Sequence, residues 1–321
     1  MNIYIVNNVW EVFISLVDLV NRKEEKSVFL LNESVIDKKI IKNLKKEFEV
    51  ISYNFSENKI KKFILFLFRK KIYIPFLISK LKIEKCRIVS FSDQDVVTRY
   101  FLDRKMYIEL YEHGIINYKN EFSSFSQKIK KNIFFMEKPY GRNKYVKYVY
   151  LKFPEKAPED IKEKVKKLDL EKWIEKISDK EKRKILEIFE ASKLNNSIGK
   201  NVAILLTQPL EIKRCTLEEK KKIYQDIYKK YSKNYQVYIK SHPLEKTEYT
   251  FIVSKEKIIN GILPIEIFLL MSEKPKLMIT LYSSGVFSFE GISNIHFLGT
   301  EYLKNFKGER YKRKIIERIS D

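Results

Sequence analysis

The sequence has little glycine, histidine and cysteine, and each shortage excludes a class of site. The 8 glycines form neither a GxGxxG nor a Walker-type loop, so dinucleotide-binding and P-loop interpretations are poor. With 3 histidines and 2 widely separated cysteines, Cys86 and Cys215, neither a structural zinc site nor a disulfide framework is indicated. A chain without disulfides is typical of a reducing compartment, and we therefore expect a cytoplasmic location.

Long hydrophobic runs are also missing. The most apolar stretch, residues 63–68, has 6 residues, far fewer than the roughly 20 that span a bilayer. The N-terminal segment MNIYIVNNVW lacks the charged and apolar regions of a signal peptide, which predicts that the chain is not secreted. Any membrane association is therefore expected to be peripheral, on the inner face of the cytoplasmic membrane.

Positive charge is in excess. Lys and Arg number 64 against 42 Asp and Glu, which gives a net charge of +22. Such a charge permits binding to nucleic acid, anionic lipid or small anionic substrates, without selecting among them. The basic residues are spread along the whole chain and no nucleic-acid-binding motif is present, so a nucleic-acid partner is not favoured.

Hydrophobic periodicity predicts an α/β protein with two Rossmann-like domains. Over about the first 110 residues, apolar strand segments alternate with helical segments, which is typical of a parallel sheet covered by helices. The same alternation starts again at Asn201. The predicted division is a first α/β domain at 1–153, a helical connection at 154–200, a second α/β domain at 201–300 and a basic helix at 301–321. Further predicted elements are helices at 57–81, 121–134 and 264–271, and a short strand at 249–253.

Several strands of the second domain are followed by small or polar residues. These residues are Thr207 and Gln208, the histidine of a His-Pro step at His242, and the pair Ser283 and Ser284. Because the carboxyl ends of parallel strands face a common crevice, we expect these groups to line one edge of the sheet. Serine hydroxyls and backbone N–H groups bind phosphate, and a histidine donates a hydrogen bond to phosphate or transfers a proton.

The first domain offers a carboxylate at a comparable position. Glu112 lies in the loop Tyr111-Glu112-His113-Gly114, just after the fifth predicted strand, where it is a candidate general base. Across a cleft from a phosphate-binding edge, it would complete an activated-sugar transferase, which removes the acceptor proton and neutralises the departing phosphate. The acidic segment 93–95 is interpreted as a helix cap, so the sequence predicts no metal site and no required cofactor.

The order of these motifs resembles a known family. An acidic residue before glycine at 112–114, the His-Pro step at 242–243 and the paired serines at 283–284 resemble the bacterial sialyltransferases of GT-B fold. The resemblance is strongest to glycosyltransferase family 52, the lipooligosaccharide sialyltransferase family, with the bacterial polysialyltransferases as relatives. The segments LLTQPL at 205–210 and LPIE at 263–266 are similar to that family as well.

The resemblance implies a reaction and roles for residues. The reaction is the inverting, metal-independent transfer of sialic acid from CMP-sialic acid to a terminal galactose-type hydroxyl of a bacterial surface glycan, lipooligosaccharide or capsule. It makes Glu112 the general base and His242 the group that contacts the CMP phosphate and assists its departure. Ser283 and Ser284 bind that phosphate, and Glu266 holds the cytidine ribose. His113 departs from the family pattern, which has a second acidic residue there, and this puts the acceptor and the donor sugar in question.

The resemblance also assigns the first domain to the acceptor and the second to the nucleotide sugar. Two alternatives stay open: a GT-B glycosyltransferase with a different nucleotide-sugar donor, and a basic nucleic-acid-binding protein. The implied partners are a CMP-sugar donor and a glycan or glycolipid acceptor. A homodimer, and contact of the basic C-terminal helix with an anionic membrane, are compatible with the sequence.

Overall fold

The computed structural model describes residues 1–23, 26–54, 74–79, 81, 86–118, 139–212 and 215–299. These residues form two compact units, Met1–Trp173 and residues 174–299. Each unit contains one parallel sheet with helices, so the predicted α/β class is confirmed.

The first unit is built on a sheet of seven parallel strands in the order β3-β2-β1-β4-β5-β6-β7. The strands are β1 Asn2–Val6, β2 Ser27–Asn32, β3 Glu49–Tyr53, β4 Arg87–Ser90, β5 Ile108–Tyr111, β6 Val146–Leu151 and β7 Val165–Lys167. Among the described residues, the helices of at least five residues before β6 are α1 Val9–Arg22, α2 Lys38–Glu47, α3 Ile74–Ile78 and α4 Val96–Asp103. All five residues of β1 are buried, as expected for a central strand covered on both faces.

Helix starts in the first unit follow the capping side chains. The Asn8 side chain accepts a hydrogen bond from the backbone N–H of Glu11 and begins α1. Asp37 accepts from the N–H of Lys39, so α2 begins at Lys38, not at Val35 as its apolar pattern predicts. A side chain that satisfies the first backbone donors fixes the boundary more strongly than hydrophobic periodicity does.

The second unit contains five parallel strands in the order β10-β9-β8-β11-β12. The strands are β8 Val202–Leu206, β9 Gln236–Lys240, β10 Ile258–Ile259, β11 Leu277–Thr280 and β12 Asn294–Phe297. The α-helices that precede or accompany them are α5 Leu170–Glu175, α6 Asp179–Ile188, α7 Ser192–Ser197 and α8 Leu217–Tyr231. The sequence predicts capping boxes where Ser178 precedes Glu181 and Thr216 precedes Glu219 by three residues, and both are formed and begin α6 and α8.

The core of the second unit lies between the sheet and α8. Tyr224 and Ile227 of α8 belong to the same buried cluster as Leu205, Ile239 and Ile279 of the three central strands. Complete burial of each such aliphatic side chain contributes roughly 1.5–3 kcal/mol. This packing holds the carboxyl ends of β8, β9 and β11 in place.

Some sequence expectations differ from the structure. Residues 249–253 form turns rather than a strand, because Tyr249 is fully buried with its hydroxyl bound to the Glu245 carboxylate. The helix expected after Pro264 is a short 3-10 helix, Ile265–Leu270. Residues 154–200 are helical in large part but also supply β7, the edge strand of the first sheet. The helices predicted at 121–134 and 301–321, and most of the one at 57–81, lie outside the described residues.

Candidate functional site

The strand register of the second unit places the predicted site residues at one edge of its sheet. Leu206 at the end of β8 is paired with Lys240 of β9 and with Thr280 of β11. The residues that follow these three positions therefore leave the sheet at the same level. They are Thr207 and Gln208 after β8, Ser241 and His242 after β9, and Ser283 and Ser284 after β11.

His242 is held in a tight turn that occupies one nitrogen of its ring. The backbone N–H of Leu244 lies 3.2 Å from Nδ1 and donates to it. A ring nitrogen that accepts a hydrogen bond carries no proton, so we assign the neutral ring as the tautomer protonated at Nε2. In this state the imidazole offers an N–H donor at Nε2, which is the group needed to bind a phosphate oxygen.

Thr207 and Gln208 are buried and fixed by groups behind them. The Thr207 hydroxyl donates to the carboxylate of Glu245, and the backbone N–H of Gln208 donates to the Tyr224 hydroxyl at 2.7 Å. Because both side chains are less than a tenth exposed, their contribution to a ligand site is the shape and backbone of the loop.

The two serines differ in their surroundings. Ser283 caps the 3-10 helix Ser284–Phe289, and its Oγ accepts a hydrogen bond from the N–H of Gly285 at 3.4 Å. Its own N–H donates to Oγ1 of Thr280 at 2.9 Å, which ties the turn to the end of β11. Ser284 is exposed. A hydroxyl that reaches solvent at a strand end is placed to bind an anionic oxygen.

Glu266 and Lys240 are two buried charged residues near this edge. Glu266 is 5% exposed and accepts a hydrogen bond from Ser288 Oγ at 3.0 Å, which links two neighbouring 3-10 helices. Lys240 is also 5% exposed, and its Nζ donates to the carbonyl of Gly261 at 3.1 Å. Burial lowers the pKa of Lys240 to about 8, and the opposite charge of Glu266 offsets part of that effect. A positive group therefore lies at the end of β9, two residues before His242.

Sequence reasoning missed a buried ionic cluster behind the same loops. The Lys220 side chain is fully buried on α8, and its ammonium pairs with the carboxylates of Glu211 and Glu245. It also donates to Thr247 Oγ1 at 2.8 Å. The sequence signal for this cluster was helical periodicity, which places Lys220 on the buried face of α8. The identity of its partners depends on contacts distant in sequence.

In the first unit, Glu112 follows β5 and is anchored through one carboxylate oxygen. Oε2 accepts hydrogen bonds from the Tyr118 hydroxyl at 2.5 Å and from the backbone N–H of Lys152 at 2.7 Å. Burial raises the pKa of Glu112, although these two hydrogen bonds favour its charged form. A carboxyl with a raised pKa and one oxygen not used by these bonds is suited to accept a proton.

His113, the neighbour of Glu112, is paired with a second carboxylate. Its Nδ1 lies 2.9 Å from Oε1 of Glu11, whose side chain is fully buried at the start of α1. The hydrogen bond with Glu11 raises the pKa of His113. Gly114 then turns the chain with φ of +94°, a conformation that favours glycine. The His113 side chain is 43% exposed, so this pair also reaches the surface.

The acidic segment after β4 has the structural role that its sequence indicated. Asp95 caps α4, with its side chain accepting from the N–H groups of Val97 and Thr98. Asp93 is buried and accepts from the N–H of Gly141 at 2.9 Å. Among the described residues, no group of three His, Cys, Asp or Glu side chains is placed to hold a metal ion. No helix in the described part of the chain is long and apolar enough to cross a membrane.

The two α/β units, each with one parallel sheet, have the GT-B type of fold. A family model, Glycosyltransferase family 52, matches residues 9–300. The chain therefore belongs to glycosyltransferase family 52, as the sequence motifs predicted, and it is a glycosyltransferase. Members of such families take a nucleotide-sugar donor and a glycan acceptor.

One relative by sequence and several solved structures are similar to this chain. An uncharacterized protein of Haemophilus influenzae is 30% identical over 236 residues, which covers 73% of this chain and 75% of the relative. The GT-B domain of a sialyltransferase from Photobacterium damselae has a TM-score of 0.55 at 11% identity, covering 89% of this chain and 87% of that one. A putative UDP-N-acetylglucosamine 2-epimerase from Listeria monocytogenes has a TM-score of 0.53 at 12% identity, covering 100% and 88%. At these identities the two structures support the fold alone.

Proposed function

We propose that the protein is an inverting sialyltransferase that uses CMP-sialic acid. The single observation that carries the proposal is a hydrogen bond at His242: its Nδ1 accepts the backbone N–H of Leu244, so in the neutral ring the proton is on Nε2. A phosphate at this edge is bound by the Nε2–H group together with the hydroxyls of Ser283 and Ser284. The buried Lys240, the last residue of β9, supplies a positive charge near this edge. Family 52 membership and the fold shared with a sialyltransferase support the choice of donor.

The chemical step follows from these groups. The acceptor hydroxyl attacks the anomeric carbon of the donor sugar while Glu112 accepts its proton. The bond between the anomeric carbon and the phosphate oxygen breaks, and its electron pair leaves with CMP. His242 donates to that oxygen, which stabilises the charge that develops on it. A single displacement of this kind inverts the anomeric centre and requires no metal.

Other parts of the proposal concern binding. Glu266 holds the ribose of the cytidine, and the loop at Thr207 and Gln208 supplies backbone groups to the nucleotide. The acceptor is a terminal galactose-type hydroxyl of lipooligosaccharide or capsule. A homodimer and peripheral membrane contact also remain predictions from the sequence.

A thermal-shift panel with CMP, UDP, GDP and CMP-sialic acid tests the donor. A ligand that binds only the folded state adds about 2.7 kcal/mol of stability at about 100 times its Kd. Selective stabilisation by CMP and CMP-sialic acid is expected. Stabilisation by UDP or GDP instead would support a different nucleotide-sugar donor. Salt-dependent binding to DNA with no effect of any nucleotide would support a nucleic-acid-binding protein.

Transfer itself is then measured with CMP-sialic acid and a galactose-terminated oligosaccharide. The expected products are CMP and a sialylated acceptor with inverted configuration. Binding of CMP without hydrolysis or transfer for any galactose-terminated acceptor would contradict the proposed reaction.

A further inference from the structure

Glu245 lies three residues after His242, and its carboxylate is fully buried. It accepts hydrogen bonds from donors on four segments of the unit. The donors are the backbone N–H of His242 at 3.1 Å, the Thr207 hydroxyl, the Tyr249 hydroxyl at 2.5 Å and the ammonium of Lys220. The loops that follow β8 and β9 therefore meet at one carboxylate.

The hydrogen-bond donors around Glu245 hold its carboxylate in place. Lys220 is also fully buried, and its ammonium is shared with Glu211 at 2.7 Å. A buried charge is stable only when it is paired and fully hydrogen-bonded, because no water replaces a missing partner. Hydrogen bonds to a charged acceptor are roughly twice as strong as neutral ones. Glu245 therefore restrains Thr207 and His242 more tightly than a neutral side chain would.

This restraint extends to the His242 ring. Glu245 accepts from the N–H of His242, and its own N–H donates to the His242 carbonyl at 2.9 Å. These two reciprocal bonds close the turn over residues 242–245. Inside this turn the N–H of Leu244 reaches Nδ1 of the ring. If the turn opened, Nδ1 would lose its donor and the proton could move between the two ring nitrogens.

We propose that Glu245 is a positioning residue that fixes the His242 ring as an Nε2–H donor and couples it to the Thr207 loop. In this role Glu245 acts through the hydrogen bonds that it accepts from the protein, without proton exchange or substrate contact of its own. The role rests on the proposed function only for the identity of the group that His242 binds. The placement of the ring is a property of the substrate-free protein.

The test compares ring tautomers in the full-length protein without substrate. Uniform ¹⁵N labelling of the 3 histidines, with His242 assigned by its loss in a His242→Gln variant, reports which nitrogen carries the proton. In the parent protein we expect the Nε2–H form to dominate at alkaline pH. In Glu245→Gln, which cannot satisfy the same four donors, we expect a mixture of both tautomers. Persistence of a pure Nε2–H ring in Glu245→Gln would overturn the proposal.

A matched control is available three residues away. Glu248 is exposed, so Glu248→Gln makes the same chemical change outside the cluster and should leave the ring unchanged. In a transfer assay we expect kcat of Glu245→Gln to fall roughly 100-fold, as for a misplaced catalytic group, with little change in acceptor KM. An equal loss in Glu248→Gln would contradict a specific role for Glu245.

A second variant covers the case in which Glu245→Gln fails to fold. Tyr249→Phe removes one of the four donors and keeps the carboxylate paired with Lys220. We expect it to fold and to show a smaller fraction of the altered tautomer, and an unaltered ring in this variant would then count against the proposal. If the parent protein binds no CMP, the proposed function fails, whereas the tautomer comparison still decides the role of Glu245.

Discussion

The carboxylate of Glu112 is anchored through one oxygen, and its proposed role as general base uses the other. Both of its hydrogen bonds, from Tyr118 and from Lys152, reach Oε2. We predict that Glu112→Gln lowers the transfer rate by roughly 10²–10⁴-fold, because an amide cannot accept the acceptor proton. The measurement is kcat for transfer from CMP-sialic acid. Glu155→Gln, a change at an exposed residue of the same unit, should retain the parent rate.

The outcome that would contradict this assignment is a Glu112→Gln variant that folds and keeps the parent rate. The pair formed by the partly exposed His113 and the buried Glu11 would then be the next proton acceptor to test, since Glu11 holds the ring of His113 by Nδ1.

The buried Lys240 should make the free energy of unfolding depend on pH. Its pKa is about 8 in the folded protein and 10.5 as the unperturbed value, so the folded state favours the neutral amine. Below pH 8 the group is charged in both states and its burial costs roughly 3 kcal/mol. This cost falls as pH rises through 8 and disappears above about 10.5. We therefore predict that Lys240→Met is more stable than the parent at pH 7, and that this advantage shrinks at pH 9.

Urea unfolding of both proteins at pH 7 and pH 9 measures this difference. The exposed residue Lys246 provides the control, as Lys246→Met should change the free energy of unfolding little at either pH. A pH-independent difference between Lys240→Met and the parent would show that the ammonium carries no such burial cost.

At the scale of single residues, the sequence predicts well which polar residues follow the ends of strands. Glu112, His242 and Ser283 were identified because polar residues after buried strands stand out by position. Glu245 and Lys220 were not, because the meaning of a buried ion pair lies in a contact between residues 25 positions apart. A helix pattern indicates that Lys220 faces inward, but it does not indicate which carboxylate receives it.

At the scale of elements, the end of β9 is packed against the segment that follows β10. A Cβ atom on Gly261 would lie 2.8 Å from the carbonyl oxygen of Ser241 and 3.2 Å from that of His242. We predict that Gly261→Ala destabilises the protein by roughly 1–3 kcal/mol, because backbone atoms cannot move aside as a flexible side chain can. The displaced turn should also weaken CMP binding, measured by calorimetry alongside thermal unfolding.

Gly199 supplies the matched control for this change. A Cβ there meets nothing within 4 Å, and Gly199→Ala should be neutral or slightly stabilising through the unfolded state. Equal stability of the two alanine variants would show that the close approach at Gly261 has no energetic consequence.

Element boundaries were predictable where a local signal sets them. The capping boxes at Ser178 and Thr216 are complete within four residues, and the predicted helix starts are confirmed there. The strand predicted at 249–253 was wrong. Its β-branched and aromatic composition does not reveal that the Tyr249 hydroxyl is bound by Glu245. All residues of the 3-10 helix Ile265–Leu270 are buried. A continuous apolar run of this kind has no periodicity that would distinguish a 3-10 helix from an α-helix.

At the scale of the whole molecule, the proposed mechanism uses protein side chains to stabilise the negative charge of the leaving group. In the proposed mechanism, hydrogen bonds from His242, Ser283 and Ser284 and the positive charge of Lys240 take the place of the divalent ion that a metal-dependent transferase uses. We predict that transfer persists within about twofold after treatment with EDTA. Rates in EDTA, with and without added Mg²⁺, measure this. A complete loss that Mg²⁺ restores would contradict the metal-independent mechanism.

The fold was the part of the whole molecule that the sequence determined best. Alternating strand and helix patterns carry the α/β class, and two such series predict two Rossmann-like units. The edge strand Val165–Lys167 was not predicted, because three residues with two exposed lysines lack any strand pattern. Sheet edges are defined by the strands beside them more than by their own residues.

The parallel pairing of both sheets has a consequence for how the chain folds. Every strand pair recorded among the described residues is parallel. Parallel strands cannot close as hairpins, so each pairing must wait for a crossover segment to form and dock. Folding rates fall as contacts become less local, and unpaired strands stay exposed for longer. Refolding from denaturant should therefore be slow and concentration-sensitive, and dilute, gradual removal of denaturant is the appropriate route to active protein.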